Sequence, residues 1–584
     1  METGRDWGGA VTRARRNTLG DVLLRTRSRD PEKLALVYEG ERLTYAALDD
    51  RVNQTARALA EDGVGKGDRV AVLSRNSMDF AVVNFAVARL GAILVPMNYM
   101  LLVDDLAYIL HHAGVSVLVA AAEFAPSLDA AARRAGVEIR ARYLMDADAP
   151  PPEWTRRTAD ARRAVAETPA TNPTPATSPT PGAAASAVGG TADEAVSERE
   201  PVLTADWIPL GARRRGVPAD LFEAEVDDED VAHVLYTSGT ESRPKGVMLT
   251  HRNLISEYVS CIVDGHMEAR DVAIHALPLY HSAQLHCFLG PGVYVGGTGI
   301  ILAQASPHAI LETVEREGAT QLFCPPTVWI ALLRHPDFER KNLTSLEKCY
   351  YGAAIMPREV LLELSRKLPQ AKFWNFYGQT EVAPLATVLQ PEDQLRKLGS
   401  AGRPALNVET RIVDDEGNEV PRGTVGEIVH RTAHAMKGYL HDPERTAEAF
   451  RGGWFHSGDL GVMDEDGYIT VVDRKKDMIK TGGVNVASRE VEEVIYQFPG
   501  VSEVAVIGVP DPYWIEAVTA VVVPRPGMTV DPAEVITFCR ERLAAFKVPK
   551  HVVLADALPR NPSGKILKRE LRRMYAAVGE AGGV

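Results

Sequence analysis

The sequence predicts an α/β protein with a large N-terminal unit and a smaller α+β unit at its C-terminal end. Short apolar runs alternate with helically spaced stretches over residues 20–145 and again over about 228–470. That rhythm belongs to strand–helix units around a largely parallel sheet. Beyond about residue 476 it gives way to strands in succession, a helix and a further strand.

The elements follow in order. Arg69-Val70-Ala71-Val72-Leu73 reads as a strand, Phe80 to Leu90 as a helix, and Ala92 to Pro96 and Val115 to Ala120 as two more strands. Residues 147–200 break the pattern with Pro150-Pro151-Pro152, repeated Thr-Pro pairs and an Ala/Gly/Ser tract. So little apolar surface cannot offset the entropy of ordering, and the segment reads as a disordered low-complexity insertion. Val231 to Leu235 reads as a buried strand and Val247-Met248-Leu249 as strand-like, with Thr250 capping a helix that starts near His251. In the C-terminal unit, Val504 to Val509, Ala517 to Val523 and Val552 to Leu554 read as strands and Pro532 to Leu543 as a helix. Lys565, Lys568, Arg569, Arg572 and Arg573 form a basic end whose default reading is a solvated helix face.

Composition bounds the function. The chain has 584 residues, 45% hydrophobic and 24% charged, ordinary globular values with room for more than one core. Its formal net charge of -13 argues against general nucleic-acid binding, since no excess of cations exists to displace counterions from phosphates. The five cysteines form no C-x-x-C pair, so buried reduced thiols and a cytoplasmic location are expected rather than a zinc site or disulfides. No apolar h-region follows Arg13, Arg15 and Arg16. The longest apolar candidate, Val293 to Ala305, is broken by three glycines and falls short of the roughly 18 residues that a transmembrane helix needs.

The chemistry is concentrated in Tyr236-Thr237-Ser238-Gly239-Thr240-Glu241-Ser242-Arg243-Pro244-Lys245-Gly246. A loop after a strand, with glycines, hydroxyls and two cations, suits phosphate oxygens. It is not a Walker A loop, because Lys245 is followed by Gly246 and a strand-like run rather than by Ser/Thr and a helix. In isolation, a flexible, solvated surface turn is the favoured reading of this loop. Four further clusters follow: Tyr350 to Ala354, Asn375 to Glu381, Trp454 to Asp459 with Asp473 to Lys480, and Pro562 to Ile566. Each combines aromatic, glycine and charged residues at an expected strand end or turn, where α/β proteins place ligands.

With these clusters in this order, the chain resembles the adenylate-forming enzyme superfamily from about residue 19 to 575, the insertion excepted. Leu277 to Leu285, Trp374 to Glu381 and Val471 to Lys480 look most like fatty-acyl-CoA synthetases. The resemblance implies an adenylation domain over 19–475 that contains the 147–200 insertion, and a mobile lid domain over 476–575. Flexible ends are expected at 1–18 and 576–584.

The resemblance also implies a reaction and roles. A carboxylate attacks the α-phosphorus of ATP, and coenzyme A then displaces AMP. Thr237, Ser238, Gly239, Thr240 and Lys245 would hold the outer phosphates, and Thr237 and Glu381 would coordinate Mg²⁺. Gly352, Ala353 and Ala354 would line the adenine pocket with Tyr377, Gly378 and Gln379. Thr380 would touch the α-phosphate, and Asp459 with Arg474 would hold the ribose. Lys565 would be the catalytic lysine and Lys476 the hinge. Lys480, Gly482 and Gly483 would serve the coenzyme A half-reaction, and His281 would gate the acyl pocket. For Asp459 a turn cap, for Glu381 a helix-terminal carboxylate, for His281 a buried core histidine, and for Lys480 to Gly483 a plain turn are the structural alternatives.

The loop departs from many relatives at Glu241-Ser242, where Thr-Gly is common, and Gly483-Val484-Asn485 departs where Glu or an aromatic is common. The expected function is ATP-dependent ligation of a medium- or long-chain fatty acid to coenzyme A. The acyl pocket is expected from Cys287 to Gly290 and Gly296 to Gly299, whose glycines would leave room for the chain, with Tyr351-Gly352 as a wall. An aryl or other acid–CoA ligase, loading of an acyl carrier protein, and a degenerate nucleotide-binding protein are the alternatives. A homodimer stays open.

Overall fold

A computed structural model describes residues 11, 13–145, 207–237, 243–354, 356–560, 566–576 and 578. The expected disordered insertion, the phosphate-loop residues Ser238 to Ser242, Lys565 and nearly all of the C-terminal tail lie outside the described residues.

Two mixed sheets organise the large unit. The first runs Gly438–Tyr439, Lys245–Thr250, Val231–Thr237, Ile93–Pro96, Arg69–Leu73, Val117–Ala120, Ala141–Leu144 and Ile208–Pro209. Its centre is parallel, and Lys245–Thr250 pairs antiparallel with Val231–Thr237. The second has nine strands, with Val272–His275, Gln321–Phe323, Lys348–Gly352 and Lys372–Gly378 parallel at its heart. Strands covered on both faces read as continuous apolar runs, and Val117–Ala120 is buried at every residue.

The helix Met78–Leu90 is apolar on all sides and buries all 13 of its residues, as a helix enclosed within the core does. Ser77 Oγ caps it by accepting from Phe80 N at 3.1 Å. Its one internal cation, Arg89, is paired with buried Asp49 at 2.6 Å. Thr250 caps His251–Asp264 as expected, accepting from Asn253 N at 3.2 Å. At the N-terminal end, Thr18 is buried and caps Leu19–Arg29, and Arg16 pairs with Asp21 at 2.8 Å. Ordered structure therefore begins before the expected boundary at residue 19.

The α/β rhythm does not continue to residue 470. Val408–Val413, Gly426–Thr432, Phe455–Met463 and Ile469–Arg474 form a four-stranded antiparallel sheet. Two equivalent turns punctuate it, Asp414 to Gly417 and Asp464 to Gly467. In each, the Asp side chain accepts the backbone N–H four residues on, at 2.8 Å, and the glycine has positive φ. These Asp-x-x-Gly turns are the local signal of a hairpin-linked sheet.

The small unit is α+β as expected. Val501–Asp511 and Ile515–Pro524 form its long antiparallel pair, joined by Ile479–Thr481, Val484–Val486 and the parallel strand His551–Leu554. Its helix Pro532–Arg540 stops three residues before the expected end. Arg489 ties the unit to the antiparallel sheet by donating to the Val471 carbonyl and, at 3.1 Å, to the Gly399 carbonyl. Among the described residues no helix is long and apolar enough to cross a membrane.

Arg569 and Arg573 of the basic end are exposed as expected, but Lys568 and Arg572 are not part of a free solvated face. Lys568 pairs with Glu492 at 2.8 Å and Arg572 with Asp477 at 2.8 Å. Burial beside carboxylates makes these cations part of the packing between segments 473–495 and 566–576. All five cysteines are buried and free, as expected.

Candidate active site

The carboxyl ends of the parallel strands meet a cleft of about 1820 Å³ between the large and small units. Ala353, Ala354, Tyr377, Gly378, Asp459 and Arg474 lie along one wall. Lys476 lies on it as well, and Arg560, Ile566 and Lys568 border it from the small unit. Arg560 and Ile566 pair through an isolated antiparallel bridge, which places the two ends of the segment containing Lys565 at the cleft.

Asp459 is the polar centre of this wall. It is 5% exposed. Its Oδ2 accepts from the Tyr377 hydroxyl at 2.8 Å and from Gln379 Nε2 at 2.9 Å. Its Oδ1 lies 3.3 Å from Arg474 Nε, yet receives no hydrogen bond among the described residues. A buried carboxylate oxygen left without a donor is costly, so this atom suits a hydroxyl-bearing ligand such as a ribose. Burial, with Asp459 nearby, pushes the Tyr377 phenol well above its ordinary value, so it remains a proton donor.

Backbone geometry opens the same wall. A Cβ on Gly378 would stand 1.8 Å from the Pro384 carbonyl oxygen, and one on Gly352 would stand 2.3 Å from the Phe376 carbonyl oxygen. Only glycine permits these approaches. Ala353 has φ of 62°, a left-handed conformation that non-glycine residues seldom adopt outside functional loops.

A second group centres on Glu381 and Tyr439. Glu381 Oε1 accepts from the Tyr439 hydroxyl at 3.0 Å, and Lys245 Nζ sits 4.7 Å from the centroid of the Tyr439 ring. Thr237 is the register partner of Lys245 at the loop end of its hairpin. Thr380 Oγ1 is 3.1 Å from Ser282 Oγ, which links it to the segment that starts at His281. Glu381 and Thr237 offer only oxygen donors, the set that suits a hard divalent cation. Arg243 stacks on Tyr108 at 5.1 Å.

His281 is half-buried and caps the short helix Ser282–Gln284, its Nδ1 accepting from Ala283 N at 3.2 Å. A π-helical turn, Leu285–Leu289, follows; such turns recur at functional sites. His286 within it bonds His233 and Tyr258, each at 3.0 Å.

Two of the glycines expected to open the acyl pocket, Gly290 and Gly299, do not do so. A Cβ on Gly290 would meet the Tyr258 ring at 2.2 Å, and one on Gly299 would meet His275 at 2.8 Å and Leu36 at 2.9 Å. These glycines leave room for core side chains rather than for a ligand. Phe288 is stacked on Phe323 at 4.5 Å and packs against Tyr350 and Phe376. Apolar surface facing the cleft comes instead from Ile330, Met356 and Phe376, of which Ile330 and Met356 carry no motif in the sequence.

Lys480, Gly482 and Gly483 stand apart from the cleft lining, on the hairpin of Ile479–Thr481 and Val484–Val486. The Gly482 N–H donates to the Trp514 carbonyl at 2.8 Å.

This cleft, set between a large α/β unit and a small α+β lid, defines the adenylate-forming fold. The chain belongs to the AMP-binding enzyme family: the model of that name matches residues 23–440, and the AMP-binding enzyme C-terminal domain matches residues 490–565. A feruloyl-CoA synthase of Amycolatopsis is 37% identical over 562 residues, covering 96% of this chain and 100% of that protein. A long-chain-fatty-acid–CoA ligase of Mycobacterium tuberculosis is 32% identical over 539 residues, 92% of this chain and 94% of that protein. ATP-bound MatB from Rhodopseudomonas palustris superposes with a TM-score of 0.79 at 30% identity, over 96% of this chain and 99% of that one.

Proposed function

We propose that this AMP-forming acid–thiol ligase activates a compact carboxylic acid, an aromatic one in preference to a long-chain fatty acid, and transfers it to coenzyme A. The observation that carries the reading is the cleft itself. Asp459, Tyr377, Gly378 and Arg474 line it from the large unit, and Arg560 and Ile566 line it from the small unit. Asp459 accepts the ribose hydroxyls, oriented by Tyr377 and Gln379. Ala353 and Ala354 line the adenine, with Gly352 holding their strand end. The 237–245 loop grips the outer phosphates, and Thr380 steers the α-phosphate.

Glu381 and Thr237 would hold Mg²⁺, which when bound screens the phosphate charge. Lys565 brings a positive charge to the attacking carboxylate and α-phosphate, the stabilisation that phosphoryl chemistry demands. The domain division at 475/476, the hinge role of Lys476 and the coenzyme A role of Lys480, Gly482 and Gly483 belong to the same reading. His281 stands at the acid entrance through its link to Ser282 and Thr380.

Two observations favour a compact acid. Two of the glycines expected to open a chain-length tunnel, Gly290 and Gly299, face Tyr258, His275 and Leu36 instead. The relative sharing 37% identity over nearly the whole chain is a feruloyl-CoA synthase. A medium- or long-chain fatty acid is the second reading, supported by the mycobacterial relative. Pyrophosphate release with ATP should be fastest with hydroxycinnamic or arylacetic acids. Faster release with straight-chain acids of twelve or more carbons would reverse the order. Acid-dependent release with no thioester formed from coenzyme A would favour a carrier-protein thiol as acceptor.

A further inference from the structure

We propose that Tyr439 is a positioning residue that couples the phosphate grip to the metal-binding carboxylate, one face of its ring serving Lys245 and its hydroxyl serving Glu381. The inference rests on the reading of Glu381 and Lys245 given above and extends it to a residue in neither cluster. Tyr439 is 7% exposed. Its hydroxyl donates to Glu381 Oε1 at 3.0 Å, and Lys245 Nζ lies 4.7 Å from its ring centroid.

The backbone holds Tyr439 in place from three sides. Its short strand pairs Tyr439 with Val247 and Gly438 with Met248, on the strand that begins at Lys245. Its N–H donates to Thr446 Oγ1 at 2.9 Å. The neighbouring Met436 N–H donates to the Glu381 carbonyl at 2.8 Å. One side chain therefore spans two chain segments that are 136 residues apart in sequence (381 minus 245). The hydroxyl fixes one carboxylate oxygen and leaves the other for a cation. The ring face attracts the ammonium electrostatically and keeps it beside the loop rather than on Glu381, where a salt bridge would compete with the metal.

Two substitutions separate the functions. Tyr439→Phe keeps the ring and removes the hydroxyl; Tyr439→Leu removes both. Two quantities are measured: the Mg²⁺ concentration for half-maximal pyrophosphate release, and ATP affinity by titration calorimetry with EDTA present. Tyr439→Phe should raise the half-saturating Mg²⁺ roughly tenfold, the scale of a hydrogen bond to a charged group, with metal-free ATP affinity unchanged. Tyr439→Leu should in addition weaken metal-free ATP binding about fivefold.

Glu381→Gln and Lys245→Ala are measured in parallel. If Glu381→Gln shifts the Mg²⁺ dependence while Tyr439→Phe does not, the coupling is wrong and the metal assignment stands. If neither shifts it, the metal assignment falls and the coupling with it. Equal loss of metal-free ATP affinity in both Tyr439 variants would also overturn the division of labour. The calorimetric signal without metal shows that each variant is folded.

Discussion

The Tyr377 hydroxyl donates to Asp459 Oδ2 at 2.8 Å, joining the end of a parallel-sheet strand to the separate antiparallel sheet. Neither residue's surroundings are local. Tyr377 lies on Lys372–Gly378 and Asp459 on Phe455–Met463. Asp459→Asn should raise the KM for ATP about tenfold or more, the loss expected when a charged acceptor is neutralised, with a smaller effect on kcat. Steady-state kinetics at saturating acid decide this. An unchanged ATP KM would remove Asp459 from the nucleotide site.

Lys565→Ala should slow acyl-adenylate formation by roughly 10²-fold or more, the scale of losing a preorganised charge. Thioester formation from preformed acyl-adenylate should be spared, because the proposed function assigns that step to a different face of the lid. Rapid-quench measurement of each half-reaction separates the two. Equal losses in both would contradict a rotating lid.

Gly378→Ala should both destabilise and inactivate the protein. Its Cβ would collide with the Pro384 carbonyl at 1.8 Å, at a φ of 158°. The backbone must shift, at a cost of about 2–4 kcal/mol. Thermal unfolding and ATP titration should both register the change; normal values in both would show that the turn tolerates a side chain.

Stability should fall as pH drops from 7.5 to 5.0. Burial pushes His275 and His251 down to about 4, and His286 and His430 down to about 3. Their folded values are depressed below the unfolded value near 6.5. The stability they contribute is therefore complete above that pH and is lost as pH falls toward 4 and 3. At pH 5 each contributes a loss of up to about 2 kcal/mol. Glu257, Asp264 and Asp228 work in the opposite direction, since burial raises their values, but buried His233 and His434 add to the four on the losing side. A Tm that stays constant over this interval would rule out the neutral buried imidazoles as the cause of acid sensitivity.

Deleting residues 150–200 and joining the ends with a short Gly/Ser linker should leave turnover and Tm nearly unchanged. Tyr143 already pairs with Ile208 at the sheet edge, so both flanks of the segment sit side by side. A large loss of activity would assign the segment a working role.

Periodic runs made much of the architecture legible. The strands at 69–73, 93–96, 117–120 and 231–237 and the capped helix at His251 were readable because burial on both faces and a capping hydroxyl leave local marks. The antiparallel sheet from Val408 to Arg474 was not, because its Asp-x-x-Gly turns were taken within a longer α/β rhythm. The glycines at 290 and 299 misled for a different reason. A missing side chain in the sequence does not say whether a ligand or a neighbouring core residue takes the space. The basic end misled as well, since Lys568 and Arg572 meet their carboxylates only across the fold.

The sequence by itself determined the chemistry of this protein. A hydroxyl- and glycine-rich loop, an aromatic-Gly-Gln-Thr-Glu run, a Ser-Gly-Asp turn and a Gly-Lys turn are short and local, and together, in this order, they point to one kind of reaction. Only the tertiary structure decided which residues hold those groups in position. It brought Gln379 and Tyr377 onto one oxygen of Asp459, set Tyr439 between Lys245 and Glu381, and packed Tyr258 and His275 against the glycines. Those contacts join segments far apart in the chain. They are set by how the two mixed sheets and the antiparallel sheet of the large unit pack together, which no local pattern of residues encodes.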